Sequence, residues 1–217
     1  MTISPTIIAA FMDIPLSLQA FAIADTQLEI YVPELTAVGQ IYSENKTEAY
    51  WAQVWPASVG LCGYLYQHPE YITDKNVLEL AAGLGLPSLY IASLAKQVHI
   101  TDRDASAVRC VQQSVIHLQL SNVNSSVLDW KDARHLPLPE VLLLSDVNYE
   151  PAVFNELLQA LEFFLQNNVK VIISTPQRLV AKQFINSLQQ YFSDQWNTCI
   201  ASGGKSTDVS VFVLQHK

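Results

Sequence analysis

The 217-residue sequence is short of charge: Lys, Arg, Asp and Glu make up 15% of it, while half of its residues are hydrophobic. Such a chain has ample apolar surface for a full core, which argues against bulk disorder. Cysteine is scarce too. Cys62, Cys110 and Cys199 are odd in number and far apart, with no CxxC pair, so neither a disulfide framework nor a zinc site is expected. His99, His117 and His135 share no ligand spacing, and no metal is expected from them. Long apolar runs are missing as well: none reaches the ~18 uncharged residues of a membrane span. The first residues lack Lys and Arg, and Asp13 and Pro15 interrupt them before a signal core develops. The expectation is a soluble, cytoplasmic protein with reduced thiols and no membrane partner. Positive charge is the last deficit. Twelve Lys and Arg stand against twenty Asp and Glu, a formal net charge of −8, which repels a phosphate backbone and suits a basic peptide or protein better.

What is present is ordered by period. Residues 1–47 carry scattered Pro and one clear alternating run, Gln27 to Val32, and read as an N-terminal extension holding a strand or hairpin. From Thr47 to His68 the chain is aromatic-rich and helix-compatible, and Pro56 marks a helix start near Trp55. Strand-like and helix-like periods then alternate: Val77 to Glu79, Leu86 to Leu94, Gln97 to Thr101, Ala105 to Leu120, Val123 to Leu128, Val141 to Leu144, Val153 to Leu165, Val169 to Ser174, Arg178 to Phe192. Trp196 to Ala201 and Val209 to Leu214 are two last strands with Gly203-Gly204 between them and no room for a helix. Five β/α units and a hairpin predict a Rossmann-like, doubly wound α/β fold. Its sheet has seven strands, mostly parallel, with a C-terminal antiparallel β-hairpin. Residues 48–217 are expected to form this domain.

The organising stretch is Val77-Leu78-Glu79-Leu80-Ala81-Ala82-Gly83-Leu84-Gly85-Leu86-Pro87-Ser88, a strand, a glycine turn and a helix start. In such a sheet the turn lies at the carboxyl ends of the strands, where a cofactor can approach backbone. A dinucleotide needs G-x-G-x-x-G, and Ser88 stands at the third glycine position. Glu79, facing the cleft, would meet a cation, and S-adenosyl-L-methionine carries a sulfonium and an ammonium. Asp102 closes the next strand, where a carboxylate can accept from ribose hydroxyls. Asp129-Trp130 closes the third, a carboxylate for the adenine amino group beside an indole for its ring.

The ordered set Val54-Trp55-Pro56-Ala57, Leu78 to Pro87, Thr101-Asp102, Leu128-Asp129-Trp130 and Asp146-Val147-Asn148-Tyr149 resembles the class I, seven-β-strand methyltransferases. More closely, over residues 48–217, it is similar to the family 16 group, whose members largely methylate protein lysines. The last segment fits that group's D-x-x-Y pattern. The resemblance implies S-adenosyl-L-methionine as cofactor and S-adenosyl-L-homocysteine as product, with cofactor contacts from Trp55, Glu79, Ala81, Gly83, Gly85, Asp102, Asp129, Trp130 and Ser145. It departs at Ala81 and Lys131, where the family usually or often has glycine.

Methyl transfer is an in-line displacement that asks for a positioned lone pair and exclusion of water. Asp146 and Tyr149 are the expected catalytic residues, the carboxylate accepting from the acceptor amine and the phenol walling its channel. The prolines that grip planar nitrogens in Asn/Asp-Pro-Pro-Tyr/Phe motifs are absent, which favours a protein lysine. Two alternatives stay open: a small-molecule methyltransferase of the same fold, and a non-catalytic module that binds the cofactor or a protein partner. Asp104, Asp132 and Glu150 read as helix caps or solvated charges.

Overall fold

The structure, a computed structural model, describes residues 14–45 and 49–216. The first thirteen residues of the N-terminal extension, and Thr47 and Glu48 of the aromatic-rich stretch, lie outside it. The chain opens with strands β1 (Leu16–Ile23) and β2 (Thr26–Pro33), paired antiparallel, and helix α1 (Leu35–Asn45). A single 3-10 turn, Tyr50–Ala52, precedes helix α2 (Pro56–Gln67), with Pro56 at its first position, where a missing N–H has no cost. There follow β3 (Asn76–Glu79), α3 (Leu86–Ile91), β4 (Gln97–Asp102), α4 (Ala105–His117), β5 (Val123–Val127) and β6 (Val141–Ser145). The last elements are α5 (Phe154–Gln166), β7 (Lys170–Pro176), α6 (Leu179–Ser187), β8 (Phe192–Ser202) and β9 (Lys205–Leu214).

Strands β3 to β9 form one seven-stranded sheet in the order β5-β4-β3-β6-β7-β9-β8. All neighbours are parallel except β9, which pairs antiparallel with both β7 and β8. The hairpin turns at Gly203 and Gly204, whose φ values of +57° and +75° meet the left-handed requirement of a two-residue turn. This is the mostly parallel sheet with a terminal antiparallel hairpin that the alternating periods predict. Its order reverses between β3 and β6, the position at which open α/β sheets leave a crevice at their carboxyl ends.

Period-two alternation divides the sheet between two cores. Val77, Val141, Leu143, Ile172, Val211 and Val213 face the side covered by α2, α3, α4 and the β1-β2 hairpin. Leu78, Leu142, Leu144, Val171, Ile173, Phe212 and Leu214 face Leu157, Leu161, Phe164, Phe184 and Leu188 of α5 and α6 and the turn after α6. Because both faces are covered, β6 needs no polar residue before Ser145, and Val141 to Leu144 are all buried. Cys62 and Cys110 are buried within this scaffold; Cys199, on β8, is exposed.

The strands of the hairpin, Phe192–Ser202 and Lys205–Leu214, are longer than expected, and the segment before them departs most from its expected span. The run Arg178 to Phe192, read as a single helix, stops at Ser187, passes through a short turn, and has become strand at Phe192. Phe192 stacks on Phe212 of β9 with ring centroids 4.8 Å apart. A cross-strand aromatic contact takes a residue that periodicity assigns to the helix.

Candidate functional site

At the carboxyl ends of β3, β4, β5 and β6 the connecting loops enclose a cavity of about 760 Å3. The loop after β3 is tied down from both sides. The Ala82 N–H donates to the Thr101 carbonyl at 3.0 Å, and the Thr101 hydroxyl donates to the Glu79 carbonyl at 2.9 Å. Three residues of the loop are left-handed: Ala81, Gly83 and Gly85, with φ of +50°, +55° and +68°. A Cβ on Gly83 would stand 3.3 Å from the Trp51 carbonyl oxygen, so the 3-10 turn before α2 packs directly on bare backbone.

Asp102 is 7% exposed, and its two oxygens accept from the Gly83 N–H at 2.8 Å and the Asp104 N–H at 2.9 Å. Burial raises its pKa, and those two donors oppose the rise. A carboxylate offers about four lone-pair directions, so one per oxygen remains for a ligand. Asp104 in turn caps α4, accepting from the Ser106 N–H at 2.8 Å. After β5, Asp129 accepts from the Lys131 N–H at 3.1 Å and Trp130 is partly buried against the α5 side of the sheet. After β6, the Ser145 hydroxyl lies 3.3 Å from that of Ser58 on α2. Tyr149 packs on Tyr50 with ring centroids 4.7 Å apart, and burial raises its pKa.

Ten of the eleven expected site residues, Trp55, Ala81, Gly83, Gly85, Asp102, Asp129, Trp130, Ser145, Asp146 and Tyr149, line this cavity. Glu79 does not. It is fully buried beneath the loop, with one oxygen accepting from the Ser88 N–H at 3.2 Å and the other unpaired among the described residues. Burial pushes its carboxyl up to about 8, only partly opposed by hydrogen bonding from Ser88. The side chain therefore braces the loop through the Ser88 backbone and does not reach the cavity. The reason is local: a residue at the last position of a four-residue central strand points into one of the two cores.

Asp146 differs from expectation in another way. Its side chain is 5% exposed, its φ is +53°, and both oxygens are taken by Arg178, from Nη1 at 2.9 Å and Nη2 at 3.1 Å. Burial raises its pKa and the guanidinium opposes this. Arg178, the partner of Asp146, is not singled out by the sequence reading. It belongs to no local motif, and only the adjacency of β6 and β7 brings it to a carboxylate 32 positions earlier. Tyr50 was missed too, because its pairing with Tyr149 also depends on the fold. Trp55 contributes an indole face; its N–H is bonded to the Tyr50 carbonyl at 2.7 Å.

The set of carboxyl-end acids on a doubly wound sheet has a counterpart among known proteins: a family model described as lysine methyltransferase matches residues 39–191. The chain belongs to the lysine methyltransferase family. Within and around that family, it is 33% identical over 153 residues to the histone-arginine methyltransferase METTL23 of Rattus norvegicus, covering 67% of this chain and 63% of the relative. It is 30% identical over 169 residues to the protein N-lysine methyltransferase METTL21A of Xenopus tropicalis, covering 76% and 77%. Among solved structures, the magnesium protoporphyrin IX methyltransferase of Synechocystis PCC 6803, solved with bound S-adenosylmethionine, superposes with a TM-score of 0.54. It shares 13% identity over 73% of this chain and 78% of that one, a likeness of fold. The chain spans 53% to 65% of the length of the histone-arginine methyltransferases that it matches. Among the described residues no helix is long and apolar enough to cross a membrane, and no group of His, Cys, Asp and Glu has the arrangement of a metal site.

Proposed function

We propose that this chain is an S-adenosyl-L-methionine-dependent N-methyltransferase that modifies a lysine side chain of a protein. The observation that carries this reading is convergence: Asp102, Asp129-Trp130, and Asp146, Val147 and Tyr149, which follow three strands successive in the chain, line one cavity. The cavity fits the cofactor by the chemistry of its groups. Asp102 keeps lone pairs for the ribose hydroxyls, and Asp129 keeps an oxygen for the adenine amino group. Leu128 and Trp130 give the apolar wall that a purine needs. The loop 81–85 would take the amino-acid end. When bound, S-adenosyl-L-methionine supplies an electrophilic methyl group, and S-adenosyl-L-homocysteine remains as product.

What the chain's own residues do is position the acceptor and exclude water. Asp146 presents a fixed carboxylate edge that accepts from an acceptor N–H, and Tyr149 with Tyr50 walls the approach. Residues 48–217 would act as the catalytic domain, with the β1-β2 hairpin packed against its helix α4. Its two buried thiols suit a reducing compartment, the cytoplasm. The relatives named as histone-arginine methyltransferases favour a second reading, in which the acceptor is a protein arginine.

Labelled methyl transfer into a cell lysate, divided into protein and small-molecule fractions, tests the proposal. The expected result is label in protein, recovered as methyllysine on hydrolysis. Methylarginine would select the second reading, and label confined to small molecules would overturn both. Calorimetry should show S-adenosylhomocysteine binding and no NAD binding; NAD binding alone would exclude methyl transfer.

A further inference from the structure

Arg178 sits 38% exposed at the start of α6, yet its guanidinium is committed to a carboxylate that is 5% exposed. The two near-equal N–O distances, 2.9 and 3.1 Å, are the fork geometry of a bidentate pair. The carboxylate is fixed from its backbone as well, since the Asp146 N–H continues the ladder to the Ser174 carbonyl at 2.9 Å. Asp146 lines the cavity, whereas Arg178 is not among the residues that line it. An acceptor in the cavity therefore meets the remaining lone pairs of Asp146, with the charge of that carboxylate already cancelled by a group that never deprotonates.

We infer that Arg178 determines acceptor specificity, making the acceptor end of the cavity select a neutral lysine amine over the permanently charged guanidinium of an arginine. This rests on the methyl-transfer reading above. An unpaired carboxylate would stabilise a lysine ammonium and keep a proton on the nitrogen lone pair that the reaction requires. With the charge cancelled, partial burial favours the neutral amine, which still donates its N–H to Asp146. Arginine gains nothing from this arrangement. It would enter as a second guanidinium beside Arg178 with one carboxylate between them.

Other charged groups share the site. Tyr149 follows three residues after Asp146, and the charges acting on it are Arg103, from the end of β4, with Glu150, Asp102 and Asp146 itself. Arg103 lines the cavity and adds to the positive side; Asp102 is held by its own two N–H donors. These groups are unchanged when Arg178 alone is substituted, so a difference between variants isolates the positioning role of Arg178.

Two random peptide pools, identical except for one central Lys or one central Arg, provide the test with labelled S-adenosylmethionine between pH 6.5 and 10. The wild type should label the lysine pool at least about tenfold faster than the arginine pool, with a rate that rises with pH as the amine loses its proton. Arg178→Gln should move that rising limb about one to two pH units towards alkali, lowering the rate at pH 7.5 by about 10- to 100-fold. S-adenosylhomocysteine affinity should stay near wild type, while the unfolding temperature falls because Asp146 is left buried without its partner. Arg178→Lys keeps the cation without the fork, so its limb should stay in place at a lower rate; this variant, with the wild-type preference, decides the matter if the glutamine variant does not fold. A folded Arg178→Gln with an unshifted limb, a shifted limb in Arg178→Lys, or a wild type that prefers the arginine pool overturns the inference while leaving methyl transfer standing. A wild type that labels neither pool overturns the parent reading and this one together.

Discussion

Ala81 occupies a backbone conformation that a Cβ disfavours, with φ of +50° in the loop above the cavity. The left-handed region costs a non-glycine residue about 1–2 kcal/mol, whereas glycine adds unfolded-state freedom worth about 0.5–1 kcal/mol. The first effect is larger. Ala81→Gly should therefore stabilise the protein by up to about 1 kcal/mol, raising the unfolding temperature by about 2–4 °C for a chain of this size. It should not weaken S-adenosylhomocysteine binding. A lower unfolding temperature would mean that the methyl group's packing outweighs the strain. Glu79 gives a pH-dependent case. Its folded pKa of about 8 lies above the ordinary 4.5, so the folded state keeps a proton that the unfolded chain releases. Stability is unaffected by Glu79 below pH 4.5 and falls as pH rises from there to 8. Glu79→Gln removes this contribution. Urea midpoints at pH 5 and pH 8 should fall less in the variant than in wild type, and equal falls would show that another group carries the slope.

At the scale of elements, the β1-β2 hairpin is attached to α4 by specific contacts. The Tyr31 N–H donates to the Ser114 hydroxyl at 2.9 Å, the Tyr31 ring meets His117 edge-on, and Arg109 donates to the Ile14 carbonyl at 3.1 Å. Ser114 is fully buried and donates in turn to the Cys110 carbonyl. Ser114→Ala leaves the Tyr31 N–H without its acceptor, and the expected loss is about 1–3 kcal/mol in chemical denaturation, with cofactor affinity unchanged. A neutral result would mean that water replaces the hydroxyl. The same region shows what periodicity can reach. Gln27 to Val32 alternates because β2 has one buried face, and is legible; Leu16 to Ile23 has three successive exposed residues and is not. Helix α1, with no acid in its first turn and no base in its last, also escaped notice. The acids at strand ends were legible because each needs only its own strand. The Asp146-Arg178 pair was not, because no local pattern records which strands become neighbours, and Glu79 was misplaced because a four-residue strand does not reveal which face its last side chain takes.

For the molecule as a whole, the four tryptophans are unevenly placed. Trp51, Trp55 and Trp130 line the cavity, while Trp196 lies on β8 near Tyr64, with ring centroids 5.9 Å apart. Most of the intrinsic emission should therefore respond to one ligand. Saturating S-adenosylhomocysteine is expected to alter it, Trp130→Phe to remove much of the response, and Trp196→Phe to leave the response intact; an unaltered wild-type spectrum would place the ligand elsewhere. With both sheet faces covered, the cavity lies at the carboxyl ends of the strands, where the strand order reverses.

The thiols are as unevenly distributed as the tryptophans. Burial raises the pKa of Cys62 well above its usual range and pushes that of Cys110 up to about 12, so neither offers thiolate near neutrality. Cys199 is exposed on β8, the edge of the sheet farthest in strand order from Asp129 and the β5 edge. One equivalent of a maleimide dye should consequently attach at a single known position, giving the native chain a fluorescent or surface-immobilised handle that leaves the cavity open.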